Sequence, residues 1–163
     1  MKSIFKISLF FVQLFIIASC TEKQSTTVQA VDYVDPMIGT DFFGHTHPGS
    51  TLPFGLVQLG PDTGIDGWTY SVGYAYQDNS IMGFSHTHLS GPGNTICGDI
   101  LMMPKIGDNL QVVPGSAKNP DEGYRSRFSH EDEKSTPGYY SVLLKDYDIR
   151  AELTTTKRAG MHR

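Results

Sequence analysis

Two His-x-His pairs lie in loops rich in glycine and proline, at residues 44–55 and 83–93. The four histidines are His45, His47, His86 and His88. In an extended segment, residues two apart point to the same side, so two such pairs could fill the four positions around zinc. Histidine in a loop of this kind also hydrogen-bonds backbone groups or ligand hydroxyls. Because no Cys or Glu lies at a familiar ligand spacing, hydrogen bonding is favoured over a zinc site.

Trp68, the only tryptophan, lies between these two loops and directly follows Gly67. A pyranose offers C–H faces together with hydroxyls, and an aromatic face flanked by Asp and His groups can meet both. Packing in a core is the alternative for a lone tryptophan. Ser85 and Ser90 stand beside histidines, but neither lies in a Gly-x-Ser-x-Gly elbow, so a serine hydrolase is disfavoured. Three acids could supply acceptors to a sugar or be ordinary turn residues: Asp41, Asp62 and Asp66.

The elements that carry these loops are predicted to be short strands. The 163 residues include 17 Gly and 9 Pro, and only 18% are charged, a mix that favours turns and strands over helices. Candidate strands lie at residues 56–59, 70–76, 81–84, 100–103, 138–144 and 149–157. The polar residues 115–137 predict a long surface excursion. The predicted fold class is therefore all-β, an antiparallel β-sandwich.

The N-terminal residues predict export and lipid attachment. Lys2 and Lys6 supply positive charge before an apolar run at residues 7–17. Small residues follow this run and lead to Cys20. Small residues before a cysteine are what a lipoprotein signal peptidase recognises, and the run is shorter than the roughly 20 residues of a membrane span. An uncleaved anchor helix is the alternative. We expect an exported lipoprotein, periplasmic or at the cell surface, held on the outer membrane by a lipid on Cys20. The predicted organisation is a signal peptide at 1–19, a polar tether at 20–30 and a folded domain at 31–163.

The net charge, the cysteine content and the last candidate strand bear on the partners, the disulfide bonds and the completeness of the domain. A net charge of −4 without a basic stripe argues against nucleic acid as a partner. With Cys20 acylated, Cys97 has no partner for an intrachain disulfide. The last candidate strand lacks an obvious partner strand before Arg163, and a free sheet edge there would be an aggregation liability. We therefore expect the domain to be truncated at its C-terminus.

The segments at 34–40, 44–55 and 83–91, followed by 137–140 and 151–154, carry a specific pattern. Together they resemble the N-terminal domain of glycoside hydrolase family 92. The resemblance implies a β-sandwich joined to a larger (α/α)6 barrel, in a calcium-dependent, exo-acting α-mannosidase that inverts the anomeric centre. The general acid, the general base and the calcium ligands would belong to that barrel domain of the same polypeptide. No catalytic residue is therefore expected in this chain, which alone is expected to be inactive.

The resemblance also implies which residues bind the substrate, a mannose-containing glycan with α-1,2 linkages. Trp68 would contact the sugar, and Asp66 with the four histidines would line the same cleft. The family pattern Gly-Trp-Asp-Trp-Cys appears here, at residues 67–71, as Gly-Trp-Thr-Tyr-Ser, and His47 replaces a frequent Phe. Two alternatives are kept: a stand-alone surface carbohydrate-binding module, and a zinc protein built on the His-x-His pairs.

Overall fold

A computed structural model of the chain describes residues 27–91, 97–108 and 111–163. The predicted signal peptide and Cys20 lie outside these residues. The chain divides into two compact units after Asp32, and every described strand lies in the second unit, Tyr33–Arg163. In the first unit, the Gln29 N–H donates to the Asp32 carboxylate at 2.7 Å. Along the described residues, no helix has the length and apolar character needed to cross a membrane.

Nine short strands and four 3₁₀ turns make up the regular structure of the described residues, which contain no α-helix. The strands are β1 (Ser50–Thr51), β2 (Gln58–Asp62), β3 (Ser80–Ile81), β4 (Gly83–Ser85), β5 (Ser126–Arg127), β6 (Lys134–Thr136), β7 (Tyr139–Leu144), β8 (Ile149–Thr155) and β9 (Gly160–His162). The 3₁₀ turns are Ala30–Tyr33, Trp68–Tyr70, Pro120–Glu122 and His130–Asp132.

The strands form antiparallel sheets around one core. β6-β7-β8-β9 make the largest sheet, β1-β2-β4 a second, and β3-β5 a pair. The buried core side chains are Leu59, Tyr74, Ile81, Phe84, Phe128, Tyr140, Val142, Leu144, Ala151 and Leu153. Burying one large apolar side chain contributes about 1.5–3 kcal/mol, so this cluster fixes the sheets against each other. The predicted antiparallel β-sandwich is confirmed.

β7 and β8 lie where the sequence predicted them, and the side chains of β8 alternate between core and solvent. Ala151, Leu153 and Thr155 are buried, whereas Arg150 and Thr154 are exposed. This two-residue period is the burial pattern of a strand with one face on the core.

The strand predicted at residues 70–76 is wrong. The segment is a series of turns, in which Gly73 adopts φ +80° and donates its N–H to the Tyr70 carbonyl oxygen at 3.0 Å. Val72 and Tyr74 are nevertheless buried, at 3% and 1% exposure. The alternation of aromatic and small residues therefore marked burial without an extended backbone.

Three further predictions need correction. Residues 100–103 form no strand, since Met102 makes only an isolated bridge to Phe84. Gly160–His162 forms β9 and pairs with β8, so the expectation that β8 would lack a partner strand is wrong. The truncation of the domain stays a prediction. Residues 115–137 are not simply a surface excursion, because they contain β5 and β6 and bury Arg125 and Ser126.

Candidate functional site

A buried ion pair between Asp62 and His88 forms the centre of the candidate site. β2 ends at Asp62 and pairs with β4, which ends at Ser85, the residue before His86 of the second His-x-His pair. Asp62 Oδ1 accepts from His88 Nε2 at 3.1 Å, and Oδ2 accepts from the Ser85 N–H at 2.8 Å. Both side chains of the pair are only 1% exposed. The pairing of β2 with β4 thus brings a carboxylate and an imidazole together away from the solvent-exposed surface.

His88 carries the positive charge of this pair. Its Nδ1 lies 2.8 Å from the Gln58 carbonyl oxygen, so both ring nitrogens face acceptors and a ring that donates from both is an imidazolium. Burial opposes that charge. The carboxylate of Asp62 and the hydrogen bonds to Asp62 and Gln58 outweigh it and raise the pKa of His88.

His47 stacks on His88 and stays neutral. Their ring centroids are 4.7 Å apart with an interplanar angle of 21°. The Gly49 N–H donates to His47 Nδ1 at 3.2 Å. Burial, and then the charge of His88, lower the pKa of His47 to about 3, against a smaller opposing effect from the Gln58 side chain. The stack therefore holds a single positive charge, which Asp62 balances.

Two glycines allow the backbone to pack against these side chains. A Cβ atom on Gly60 would lie 3.3 Å from both His47 Nδ1 and His88 Cε1. A Cβ atom on Gly73 would lie 2.3 Å from Asp62 Oδ1, and the φ of +80° there also disfavours any other residue. The buried pair thus depends on the turn at Gly73 that replaces the predicted strand.

His45 and Trp68 form the outer part of the site. Trp68 is 56% exposed, and its ring lies edge-on to the His45 ring with centroids 5.0 Å apart. His45 is 8% exposed and has φ 51°, and its carbonyl oxygen accepts the Gly91 N–H at 2.7 Å. His45 Nδ1 hydrogen-bonds the Ser71 hydroxyl, while its buried Nε2 has no partner in the described part of the chain. An unpaired buried polar atom costs about 1–3 kcal/mol, so this nitrogen suits a polar group of a ligand.

Comparison with known proteins assigns the family. Residues 33–163 match the model of the glycosyl hydrolase family 92 N-terminal domain. The chain belongs to glycosyl hydrolase family 92. A family 92 α-mannosidase from Bacteroides thetaiotaomicron, solved in complex with mannoimidazole, is 45% identical with a TM-score of 0.78, over 81% of this chain and 17% of that one.

Two further relatives support the assignment. A family 92 inverting mannosidase from Bacteroides thetaiotaomicron is 30% identical with a TM-score of 0.61, over 83% of this chain and 18% of its own. A protein of Arthroderma benhamiae, named an uncharacterized secreted glycosidase, is 32% identical over 80% of this chain and 16% of its own length. The family 92 domain described here therefore spans less than a fifth of the relatives it matches.

The six predicted substrate-binding residues do not gather at one point of the family 92 domain. Trp68 and His45 are in contact, and His47 and His88 form the buried stack. Asp66 is exposed two residues before the tryptophan. His86 pairs instead with His162 on β9, with the two Nε2 atoms 3.2 Å apart. A substrate-binding role for the six residues stays a prediction.

The family 92 domain also separates the four histidines that could have bound zinc together. The expectation rested on an extended backbone, but His45 lies in the left-handed region. Within residues 27–91, 97–108 and 111–163, no group of three or more His, Cys, Asp or Glu side chains could hold a metal ion.

The same residues offer no set of oxygen atoms suited to bind calcium. Ca²⁺ takes about six to eight oxygen ligands, commonly from several carboxylates. Both oxygens of Asp62 are already hydrogen-bonded, and Asp66 joins no metal-binding group among the described residues. The described part of this chain therefore does not fit calcium.

A serine-hydrolase triad does not fit the geometry. Ser85 Oγ lies 3.3 Å from His88 Nε2, but Asp62 bonds this same nitrogen, and the opposite nitrogen faces a backbone carbonyl. In a catalytic triad the carboxylate and the serine bond opposite ring nitrogens. Ser85 is also fully buried.

Ser71 and Tyr70 show what the sequence pattern left open. Ser71 replaces the cysteine of the family pattern and orients His45, a contact that no local sequence signal indicates. Tyr70 replaces the second tryptophan, but its hydroxyl bonds Asp78. Burial, together with the Asp78 charge and that hydrogen bond, raises the pKa of Tyr70 to about 12. This second aromatic therefore turns toward the protein rather than toward the Trp68 face.

Proposed function

We propose that this chain is the N-terminal domain of an exo-acting α-mannosidase and that Trp68 and His45 contact the terminal mannose. One observation carries the proposal: an exposed tryptophan stands edge-on to a histidine whose buried Nε2 has no partner. An indole face can stack on the C–H face of a pyranose, and the histidine nitrogen beside it can meet a hydroxyl.

Either tautomer of His45 can serve this role. If Nδ1 donates to Ser71, then Nε2 accepts a hydrogen bond from a sugar hydroxyl. If the Ser71 hydroxyl donates instead, Nε2 carries the proton and donates to the sugar oxygen. Because a hydroxyl is both a donor and an acceptor, both arrangements satisfy the buried nitrogen.

We propose that hydrolysis itself belongs to a catalytic domain elsewhere in the protein. Inversion needs a carboxylic acid and a carboxylate about 6.5–9.5 Å apart on opposite faces of the sugar. The exposed loop side chains Phe42, Phe43 and Phe54 are 72%, 65% and 103% exposed, and such apolar surface suits packing against another domain. Calcium, if the enzyme uses it, would be held by that domain.

The test compares this chain with a protein extended to the natural stop codon, on an α-1,2-linked mannobiose, with and without a calcium chelator. We expect only the extended protein to hydrolyse the substrate with inversion, and the chelator to abolish the activity. Activity of this chain alone would contradict the proposed division of labour. An inert extended protein that still binds mannosides would favour the binding-module alternative.

The sugar contacts are tested in the extended protein by Trp68→Ala, with Val112→Ala as a matched exposed apolar control. Val112 is 86% exposed, so its truncation removes surface without touching the candidate site. We expect Trp68→Ala to lower kcat/KM by more than about tenfold, equivalent to about 1.4 kcal/mol. Unchanged kinetics with an intact circular dichroism spectrum would remove Trp68 from the site.

A further inference from the structure

His86 and His162 form a pair of imidazoles that the proposed mannoside site does not use. His86 follows β4 and His162 lies on β9, so residues 76 positions apart in the chain come together. Their Nε2 atoms are 3.2 Å apart, and their ring centroids are 4.9 Å apart with an interplanar angle of 43°. Both side chains are half-buried. The two rings therefore direct the same nitrogen toward a common point.

The hydrogen bond on the far side of His86 leaves its Nε2 free to coordinate. His86 Nδ1 lies 3.2 Å from the Ile100 carbonyl oxygen, which can only accept, so Nδ1 carries the proton and Nε2 carries a lone pair. Metal-binding histidines usually donate their other ring N–H to a carbonyl or carboxylate in this way. The ring is thus held in the tautomer and orientation of a ligand.

His162 is also suited to stay neutral. Burial, and then the neighbouring His86, lower the pKa of His162, so its ring keeps a lone pair at neutral pH. In the absence of metal, its Nε2–H donates to His86 Nε2. When an ion binds, that proton moves to Nδ1, which has no partner in the described part of the chain.

The spacing of the pair fits one transition-metal ion. An ion about 2.05 Å from each of two nitrogens 3.2 Å apart subtends an angle of about 100°, between the octahedral and tetrahedral values. The same placement sets the ring centroids about 5 Å apart, in agreement with the observed 4.9 Å. Both histidines are only partly buried, which leaves room for water ligands on the solvent side.

We propose that His86 and His162 chelate one divalent transition-metal ion, such as Zn²⁺, through their Nε2 atoms, with water completing the coordination. Imidazole nitrogens are suited to zinc, copper and nickel rather than to calcium. The ion would cross-link β9 to the loop that follows β4. Because the unfolded chain does not hold the two rings together, binding would stabilise the folded state.

The experiment titrates chelator-treated, desalted protein with Zn²⁺ in competition with a chromophoric zinc indicator, and records thermal unfolding with and without Zn²⁺. The variants are His162→Gln, whose amide can still donate to His86, and Cys97→Ser, which removes the free thiol. We expect one Zn²⁺ per chain and a raised Tm in the wild-type protein and in Cys97→Ser. His162→Gln, with an unchanged circular dichroism spectrum, should lose both.

Wild-type zinc uptake in His162→Gln, or uptake lost only in Cys97→Ser, would overturn the proposal. A measurement on the unaltered protein guards against a variant that fails to fold. With Cu²⁺ as the probe, electron paramagnetic resonance should show hyperfine coupling to two imidazole nitrogens. A spectrum with one nitrogen or with oxygen ligands only would equally overturn the two-histidine site.

Discussion

At the scale of single residues, the histidines of the two loops have separate environments although their sequence pattern is the same. His88 is charged and paired with Asp62, His47 is neutral and stacked, and His45 is buried beside the exposed Trp68. The residue types and the aromatic were identifiable from the sequence. Their directions were not, because the φ of 51° at His45 breaks the extended geometry on which the His-x-His argument depended.

The stack predicts a loss of stability on acidification. The pKa of His47 is lowered from 6.5 to about 3 in the folded chain. At pH values between these two, His47 is therefore protonated in the unfolded chain but neutral in the folded chain. The stability contributed by the neutral ring is thus present above 6.5 and is lost as pH falls. Between about pH 7 and about pH 5 the loss is about 2 kcal/mol.

The measurement is the free energy of unfolding in urea at both pH values, for the wild-type protein and for His47→Asn, whose amide oxygen can accept from Gly49. The wild-type protein should lose about 2 kcal/mol more than the variant. His88 acts with the opposite sign, since its raised pKa gives stability that is full at low pH and lost as pH rises. Its contribution is common to both proteins, and an equal acid loss in the two would contradict a neutral His47.

At the scale of elements, the sequence predicted strands where alternation and extension coincide and failed where they do not. β8 alternates between buried and more exposed side chains, and this two-residue period is read directly from the sequence, whereas every side chain of β7 is buried or half-buried. The segment 70–76 has the same alternation, but Gly73 turns the chain so that its carbonyl oxygen accepts from the Thr63 and Gly64 N–H groups. β9 has only three residues, too few for any periodic signal.

The turn at Gly73 predicts a strong preference for glycine. Gly73→Ala combines a φ of +80° with a Cβ 2.3 Å from Asp62 Oδ1, so it should disturb the buried ion pair as well as strain the backbone. We expect a loss of roughly 3 kcal/mol or more in the free energy of unfolding. Gly107→Ala is the matched control, since Gly107 has φ +91° and open space around its Cβ, and it should lose only roughly 1 kcal/mol. Equal losses would show that a Cβ atom at residue 73 does not disturb Asp62.

At the scale of the whole molecule, the domain presents several apolar side chains to solvent in a protein whose core is well packed. The loops before β2 expose Phe42, Phe43, Phe54 and Leu56, each by more than 60%. Exposed apolar patches mark interaction sites. The fold class followed from composition and strand pattern, whereas the placement of this surface depended on long-range pairing that only the folded chain defines.

The lipid predicted on Cys20 would attach the whole protein to a membrane. Acyl chains contribute about 0.8 kcal/mol of membrane affinity per buried CH₂, and a single chain binds only marginally, so stable anchoring needs a second signal, such as another acyl chain. In a bacterial host with the lipoprotein pathway, the wild-type protein should label with radioactive palmitate and sediment with membranes. Cys20→Ser should lose the label, whereas Cys97→Ser should keep it because that thiol lies in the folded domain. Wild-type protein that sediments with membranes without label would favour the uncleaved anchor helix, and label retained in Cys20→Ser would show that acylation occurs at another residue.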